Sequence, residues 1–311
     1  MKRKIAILDL GTNTFHILVV EIEYENVRYV YKEKIPVKIG QGGISHGYII
    51  PEAEDRAINT IKYFKKILHR QGVSEIYANA TSAFRNAKNG NELVERINKV
   101  TGIEVNVISG DKEAEYIYYG VKKALDIGNE VSLIMDIGGG SVEFVICTGR
   151  EIYWKESFEI GAQRLLDNYH QVDPILTEDL DALEKYLGKQ LDSLKRAAKK
   201  FRPTVLIGSS GTFDTLGDIC RFNHNLIKIP GQTEYHLPLK CYREIHQDLL
   251  GKNKTDRLKI PGMIEMRVDM IVVSSALINF VVNSINIQNI RVSSYSLKEG
   301  VLQDILSSIL V

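Results

Sequence analysis

The residues of this chain that could do chemistry are carboxylates, hydroxyls, glycines and one arginine, grouped at strand ends in a pattern that suits phosphate. Over 133–146 the sequence LIMDIGGGSVEFVI reads as strand, glycine turn and strand, because an apolar run stops at three glycines and a β-rich run resumes beyond them. Backbone N–H groups at Gly138, Gly139 and Gly140 can converge on an anion, and Ser141 adds a hydroxyl donor. Asp136 and Glu143 flank the turn, where a divalent cation would offset their charge beside a phosphate. For this motif alone, a tight hairpin with its acids in water is an equal alternative.

A second copy changes that balance. The stretch 7–20, ILDLGTNTFHILVV, aligns without gaps on 134–147, IMDIGGGSVEFVIC. Asp9 falls on Asp136, Gly11 on Gly138 and Thr14 on Ser141, at a constant offset of 127 (136 less 9, 141 less 14). Self-similarity at a domain-sized offset points to two related domains, each opening with the same hairpin. Gly11, Thr12, Asn13 and Thr14 are therefore read as a second phosphate turn, and Asp9 as a further metal-linked acid.

Three other groups lie at strand or helix ends. Thr81, Ser82, Arg85 and Asn86 follow a strand over 75–80, and ligands of α/β sheets collect outside such ends. Arg85 is a forked cation that can answer charge on a transferring phosphoryl group, or simply one that sits in solvent. Asp111, Glu113 and Glu115 gather at a helix start, where acids complement the dipole. Glu113 is the one that can lean inward and orient a water. The segment Gly208, Ser209, Ser210, Gly211 and Thr212 opens a helix after a strand and offers an anion site or a plain turn.

The elements that must carry these groups follow from the hydrophobic pattern. Strands are expected over 4–10, 15–22 and 28–35 before the first helix over 51–69, which suggests a meander leading into a mixed sheet. A helix over 91–99 and a strand over 103–108 precede the helix bearing Glu113. After the second hairpin come a third strand over 151–158, a charged helix over 178–200, a strand over 204–207, a buried apolar helix over 264–280, a strand over 289–293 and a closing helix.

Composition excludes several classes. With 311 residues, two cores are expected. Forty basic against 39 acidic residues leave a net charge of +1, so no global field recruits nucleic acid or membrane. The three cysteines, Cys147, Cys220 and Cys241, are far apart and lack metal-ligand spacing. They read as reduced thiols, hence a cytoplasmic protein with no zinc site.

Taken together and in order, DLGTNTFH, TSAFRNA, ISGDKEAEYIYYGV, MDIGGGSVEF, IGAQRLL, GSSGT, GMIEMRVDMI and SLKEG resemble the exopolyphosphatase and guanosine pentaphosphate phosphohydrolase (Ppx/GppA) family. That family belongs to the superfamily of actin, sugar kinases and heat-shock chaperones. The resemblance implies an α/β fold of two ribonuclease-H-like (actin-like) domains, each with a mixed five-stranded sheet flanked by helices, around a cleft. The first would span 1–127 with the returning helix 298–311, and the second 128–297. It also implies Mg²⁺-assisted hydrolysis of a terminal phosphate from inorganic polyphosphate or from pppGpp. Glu113 would activate water, Arg85 would be catalytic, and Asp136 and Glu143 would be metal-linked. The expected partners are polyphosphate or guanosine penta- and tetraphosphate, with room for a homodimer.

Lys112 departs from the usual paired glutamates and Lys298 from the usual closing arginine. A further C-terminal domain known in longer relatives is not expected, which favours short oligophosphates or nucleotides. Two other classes stay open at this level: an ATP-dependent kinase or ATPase of the same superfamily, and a non-catalytic polyphosphate or (p)ppGpp sensor.

Overall fold

The computed structural model describes residues 2–309 apart from 25 and 228. The chain forms two compact units, Met1–Glu113 with Gly138–Gly140, and Ala114–Ile137 with Ser141–Val311. In the first unit β1 (Lys2–Leu10), β2 (Thr14–Glu23) and β3 (Asn26–Pro36) form an antiparallel meander. Next come α1 (Pro51–Gln71), β4 (Glu75–Ala80), α2 (Ser82–Asn86), α3 (Gly90–Thr101) and β5 (Val105–Val107). β4 and β5 join the sheet in parallel, giving the order β3-β2-β1-β4-β5.

Local chemistry explains these elements. α1 starts with Pro51, whose missing N–H costs nothing in a first turn, and stops at Gly72, which takes a left-handed φ of 63°. Its Ala53, Ala57, Ile58, Ile61, Phe64 and Leu68 recur at helical spacing and are buried. They meet the sheet face carrying Leu8, Phe15, Ile17 and Val19 in one core.

α4 (Gly110–Ala124) begins in the first unit and continues into the second. The second unit then has β6 (Ser132–Ile137), β7 (Val142–Cys147), β8 (Ile152–Phe158), α5 (Ala162–Tyr169), α6 (Thr177–Gln190), α7 (Asp192–Phe201), β9 (Val205–Ser209) and α8 (Ser210–Asn223). It ends with β10 (Glu234–His236), α9 (Leu239–Gly251), α10 (Lys254–Arg257), α11 (Ile271–Ile285), β11 (Asn289–Ser293) and α12 (Leu297–Ile309). The sheet order is β10-β11-β9-β6-β7-β8. Every residue of β6, β7 and β9 is buried, as their nearly unbroken apolar runs require of strands covered on both faces. Both sheets thus have the ribonuclease-H-like plan of a three-stranded meander extended by parallel strands.

Several expectations change. The second sheet has six strands and not five, because the short β10 pairs antiparallel with β11. The helix expected over 178–200 breaks at Leu191, which takes φ −93° and ψ 24° between α6 and α7. The apolar helix expected over 264–280 lies at Ile271–Ile285, since the segment before it forms turns. Cys220 and Cys241 are joined in a disulfide between α8 and α9, with Cα atoms 6.1 Å apart, which removes the reduced-thiol reading for that pair. Only Cys147 is free, and burial pushes its thiol up to about 12, where it is inert. Among the described residues no helix is long and apolar enough to cross a membrane.

The C-terminal helix packs on α4, and compactness groups it and α4 from Ala114 onward with the second unit, whereas the sequence reading puts both helices with the first. Residues 310 and 311 of the expected helix lie outside the described residues. The two helices cross through glycine. A Cβ at Gly300 would overlap the Tyr116 carbonyl, and one at Gly120 the Ser296 carbonyl. Backbone cannot give way as a side-chain tip can, so Gly300→Ala should cost about 2–4 kcal/mol by overpacking. The check is a lower urea midpoint at unchanged m value. A change under about 0.5 kcal/mol, the range of ordinary surface substitutions, would show that the helices simply separate.

Candidate active site

The duplication is visible in strand register. Leu10 pairs with Phe15 in the first hairpin and Ile137 with Val142 in the second, the same 127-residue shift (137 less 10, 142 less 15). Asp136 pairs across strands with Glu143, whereas Asp9 pairs with His16. Directly opposite residues share a sheet face, so the second hairpin carries two adjacent carboxylates and the first carries an acid beside a histidine.

In the first unit the turn between β1 and β2 is tight: the Gly11 N–H donates to the Thr14 carbonyl at 3.2 Å. Thr12, Asn13 and Thr14 are buried. The Asn13 and Thr12 carbonyls accept from Lys38 and Gly40 N–H groups at 2.9 and 3.1 Å, which holds the turn against the following loop. Gly138–Gly140 belong to this unit. A Cβ at Gly139 would lie 2.5 Å from the Asn13 amide, and one at Gly140 2.5 Å from both Ser82 Oγ and Thr12 Oγ1. None of the three takes a positive φ, so these glycines serve close approach and not a left-handed turn.

Arg85 and Glu113, 28 residues apart, meet in this unit. Arg85 Nη1 donates to Glu113 Oε2 at 3.1 Å and to the Ile108 carbonyl at 3.0 Å. α2, a single turn following β4, supplies the arginine, and the first turn of α4 supplies the glutamate. Ser109 starts that helix, its Oγ accepting from the Lys112 N–H at 3.2 Å. Glu113 is only 7% exposed, so a charged partner is what makes its burial tolerable. Thr81 and Ser82, also buried, border the same strand end.

In the second unit Asp136 Oδ2 accepts from Ser209 Oγ at 2.5 Å and from Ser296 Oγ. Glu143 Oε1 accepts from Ser157 Oγ at 2.7 Å, and Ser157 is its cross-strand neighbour on β8. Ser296 precedes α12, and its backbone N–H donates to the Glu299 carboxylate at 3.0 Å, the glutamate half of a capping box. The closing SLKEG thereby fixes a hydroxyl on Asp136. Lys298 is paired with Glu299 at 3.1 Å.

The turn into α8 divides its labour. Gly208 gives room to the Phe213 ring, and Ser210, at φ 71°, donates to the Ile137 carbonyl at 3.0 Å. Gly211 leaves space for the guanidinium of Arg267, a residue passed over in the sequence although it stands inside GMIEMRVDMI. Burial lowers the Arg267 pKa from its ordinary value, against the pull of Asp214 and Asp136. Its Nε is buried without a hydrogen-bond partner. Thr212 is buried, as is Ser141 beyond the second glycine turn.

Two sheets of one plan carry glycine turns at strand ends and buried carboxylates held by serine hydroxyls, an arrangement suited to phosphate. The comparisons agree. The model of the Ppx/GppA phosphatase family matches residues 18–309, and the chain belongs to that family. It is similar to the crystal structure of an exopolyphosphatase from Cytophaga hutchinsonii, 44% identical over 98% of both chains with a TM-score of 0.95. It also resembles the family member of Aquifex aeolicus in fold, at 22% identity, 99% coverage of each chain and a TM-score of 0.80. A candidate exopolyphosphatase of Haemophilus influenzae is 29% identical over 96% of this chain and 90% of its own length.

The glycine turn invites a direct test. Gly139→Val places a branched side chain on the Asn13 amide and should raise KM by about 10-fold or more, the scale of losing one or two charge-assisted contacts. Steady-state kinetics beside a circular dichroism spectrum of wild-type form would check it. Unchanged KM and kcat would remove this turn from the site.

Proposed function

We propose that the chain is a Mg²⁺-assisted phosphoanhydride hydrolase that removes the terminal phosphate of inorganic polyphosphate, with conversion of pppGpp to ppGpp as a second reaction of the same chemistry. The observation that carries the reading is the Arg85–Glu113 pair at 3.1 Å, made by two residues whose types suit the reaction. Transfer from a phosphoanhydride passes through a loose transition state, so the nucleophile needs orientation more than early deprotonation. A carboxylate held by an arginine is a weak base and a well-fixed acceptor. Glu113 therefore positions a water by accepting its hydrogen bond, and takes the proton late. Arg85 holds that carboxylate and brings a forked cation to oxygens that gain charge.

The glycine turns and their hydroxyls supply backbone and side-chain donors to phosphate oxygens. Arg267 beside Gly211 adds a cation there. Asp136 and Glu143 are adjacent, hard oxygen donors braced by serines, which fits Mg²⁺ or Mn²⁺; Asp9, on the first unit's own hairpin, is a separate candidate for such an ion. When bound, that ion supplies charge neutralisation for the phosphate chain. The similarity to exopolyphosphatases over nearly the whole chain supports polyphosphate as substrate.

The test is phosphate release from short polyphosphate, long polyphosphate, pppGpp and ATP, side by side with Mg²⁺. Turnover of polyphosphate or pppGpp without an acceptor is the expected result. Turnover of ATP alone would mark an ATPase, and binding of polyphosphate without turnover would mark a sensor.

A further inference from the structure

At the other end of α8 from the Ser210–Thr212 turn, Cys220 and His224 lie one helical turn apart, and Cys241 lies in the first turn of α9. The four-residue spacing puts Cys220 and His224 on one helix face, and packing of α8 on α9 brings Cys241 to the same place. Among the described residues this is the group of three or more such side chains whose ligand atoms converge, all within 4.8 Å of one another. The sequence hides it, because the Cys220–His224 pair alone is too common a spacing to signal a site and Cys241 lies 21 positions from Cys220.

We propose that Cys220, His224 and Cys241 form a thiolate–imidazole site for Zn²⁺ that exists when the disulfide is reduced. The two sulfurs at the α8–α9 junction are then held either by each other or by the metal. The donor set is soft, unlike the all-oxygen set around Asp136 and Glu143, and selects zinc over magnesium. Tetrahedral zinc with Zn–S bonds of about 2.3 Å needs its sulfurs about 3.8 Å apart, and cysteines whose Cα atoms lie 6.1 Å apart can present them so once reduced. Both cysteines are buried while His224 is exposed, so the metal enters past the imidazole and keeps a fourth position open to water. The chemistry balances: a phosphine and one water convert the disulfide into two thiols and a phosphine oxide. Zn²⁺ then displaces the two thiol protons.

The test uses the full chain, reduced with a water-soluble phosphine, freed of it and given one equivalent of Zn²⁺. Retention is read against a chromophoric chelator, with Co²⁺ as a spectroscopic substitute. One zinc per chain, release of two protons and a thiolate-to-cobalt charge-transfer band are expected. Cys241→Ser should weaken retention at least about 100-fold, and His224→Ala about 10- to 100-fold, the range for loss of a ligand or its support. Cys147→Ser should leave retention unchanged. Because a buried cysteine variant can misfold, oxidised wild type serves as the variant-free control and should retain none. Equal retention by oxidised protein or by His224→Ala, or no retention by reduced wild type, overturns the proposal.

Discussion

Glu113→Gln is expected to lower kcat by about 100-fold or more, the usual scale of positioned acid–base help, while KM stays within a few-fold. The amide keeps the size of the carboxylate but loses the charge, so it accepts a weaker hydrogen bond from water and cannot take the late proton. It also releases the Arg85 Nη1 contact now made at 3.1 Å. Arg85→Lys should lower kcat as well, since one ammonium cannot reach the Ile108 carbonyl, Glu113 and a phosphoryl oxygen together as a fork can. Because the two residues touch, the double variant should be far less than additive. Steady-state rates on one oligophosphate for the four proteins are the measurement. A Glu113→Gln protein with near wild-type turnover would remove Glu113 from its role.

Chelation should abolish turnover and Mg²⁺ restore it, the second large effect expected. Asp136 and Glu143 face one another on β6 and β7 and are both almost fully buried. Serine hydroxyls brace both and the buried Arg267 pulls on Asp136, but two adjacent carboxylates beside a polyanion call for a further cation. Glu143→Gln should shift the Mg²⁺ midpoint of activity upward by about 10-fold or more, whereas Arg85→Lys should leave that midpoint where it is. Activity that survives thorough chelation, or a wild-type midpoint in Glu143→Gln, would contradict the metal role.

What could be read beforehand was what is local in sequence. The duplicated strand–glycine–strand pattern carries its own register, so the 127-residue offset reappears in the pairing of both hairpins. Arg85 and Glu113 were legible as candidates from their residue types at element ends, but not as a pair. Nothing in the segment between them shows that α2 and α4 start at neighbouring strand ends. Ser296 was out of reach for the same reason, since it joins Asp136 from 160 residues away. Ser157 was accessible in principle, because strand alternation places it beside Glu143 once the β7–β8 register is known. The glycines of IYYGV and SLKEG, given no role in the sequence reading, prove to be the contact that lets α4 and α12 cross. The helix breaks at Leu191, three residues after Gly188 and without proline, and β10 has three residues, too few for a periodic signal. The disulfide needed the packing of α8 on α9, which no spacing rule encodes.

The central claim is that water, placed by Glu113, attacks the terminal phosphorus. Its most direct test is turnover of an oligophosphate in ¹⁸O-labelled water with Mg²⁺ and no other acceptor, with mass analysis of both products. Each orthophosphate released should carry one labelled oxygen and the shortened chain none. Label in the shortened chain, or no release until an acceptor is added, would contradict the account.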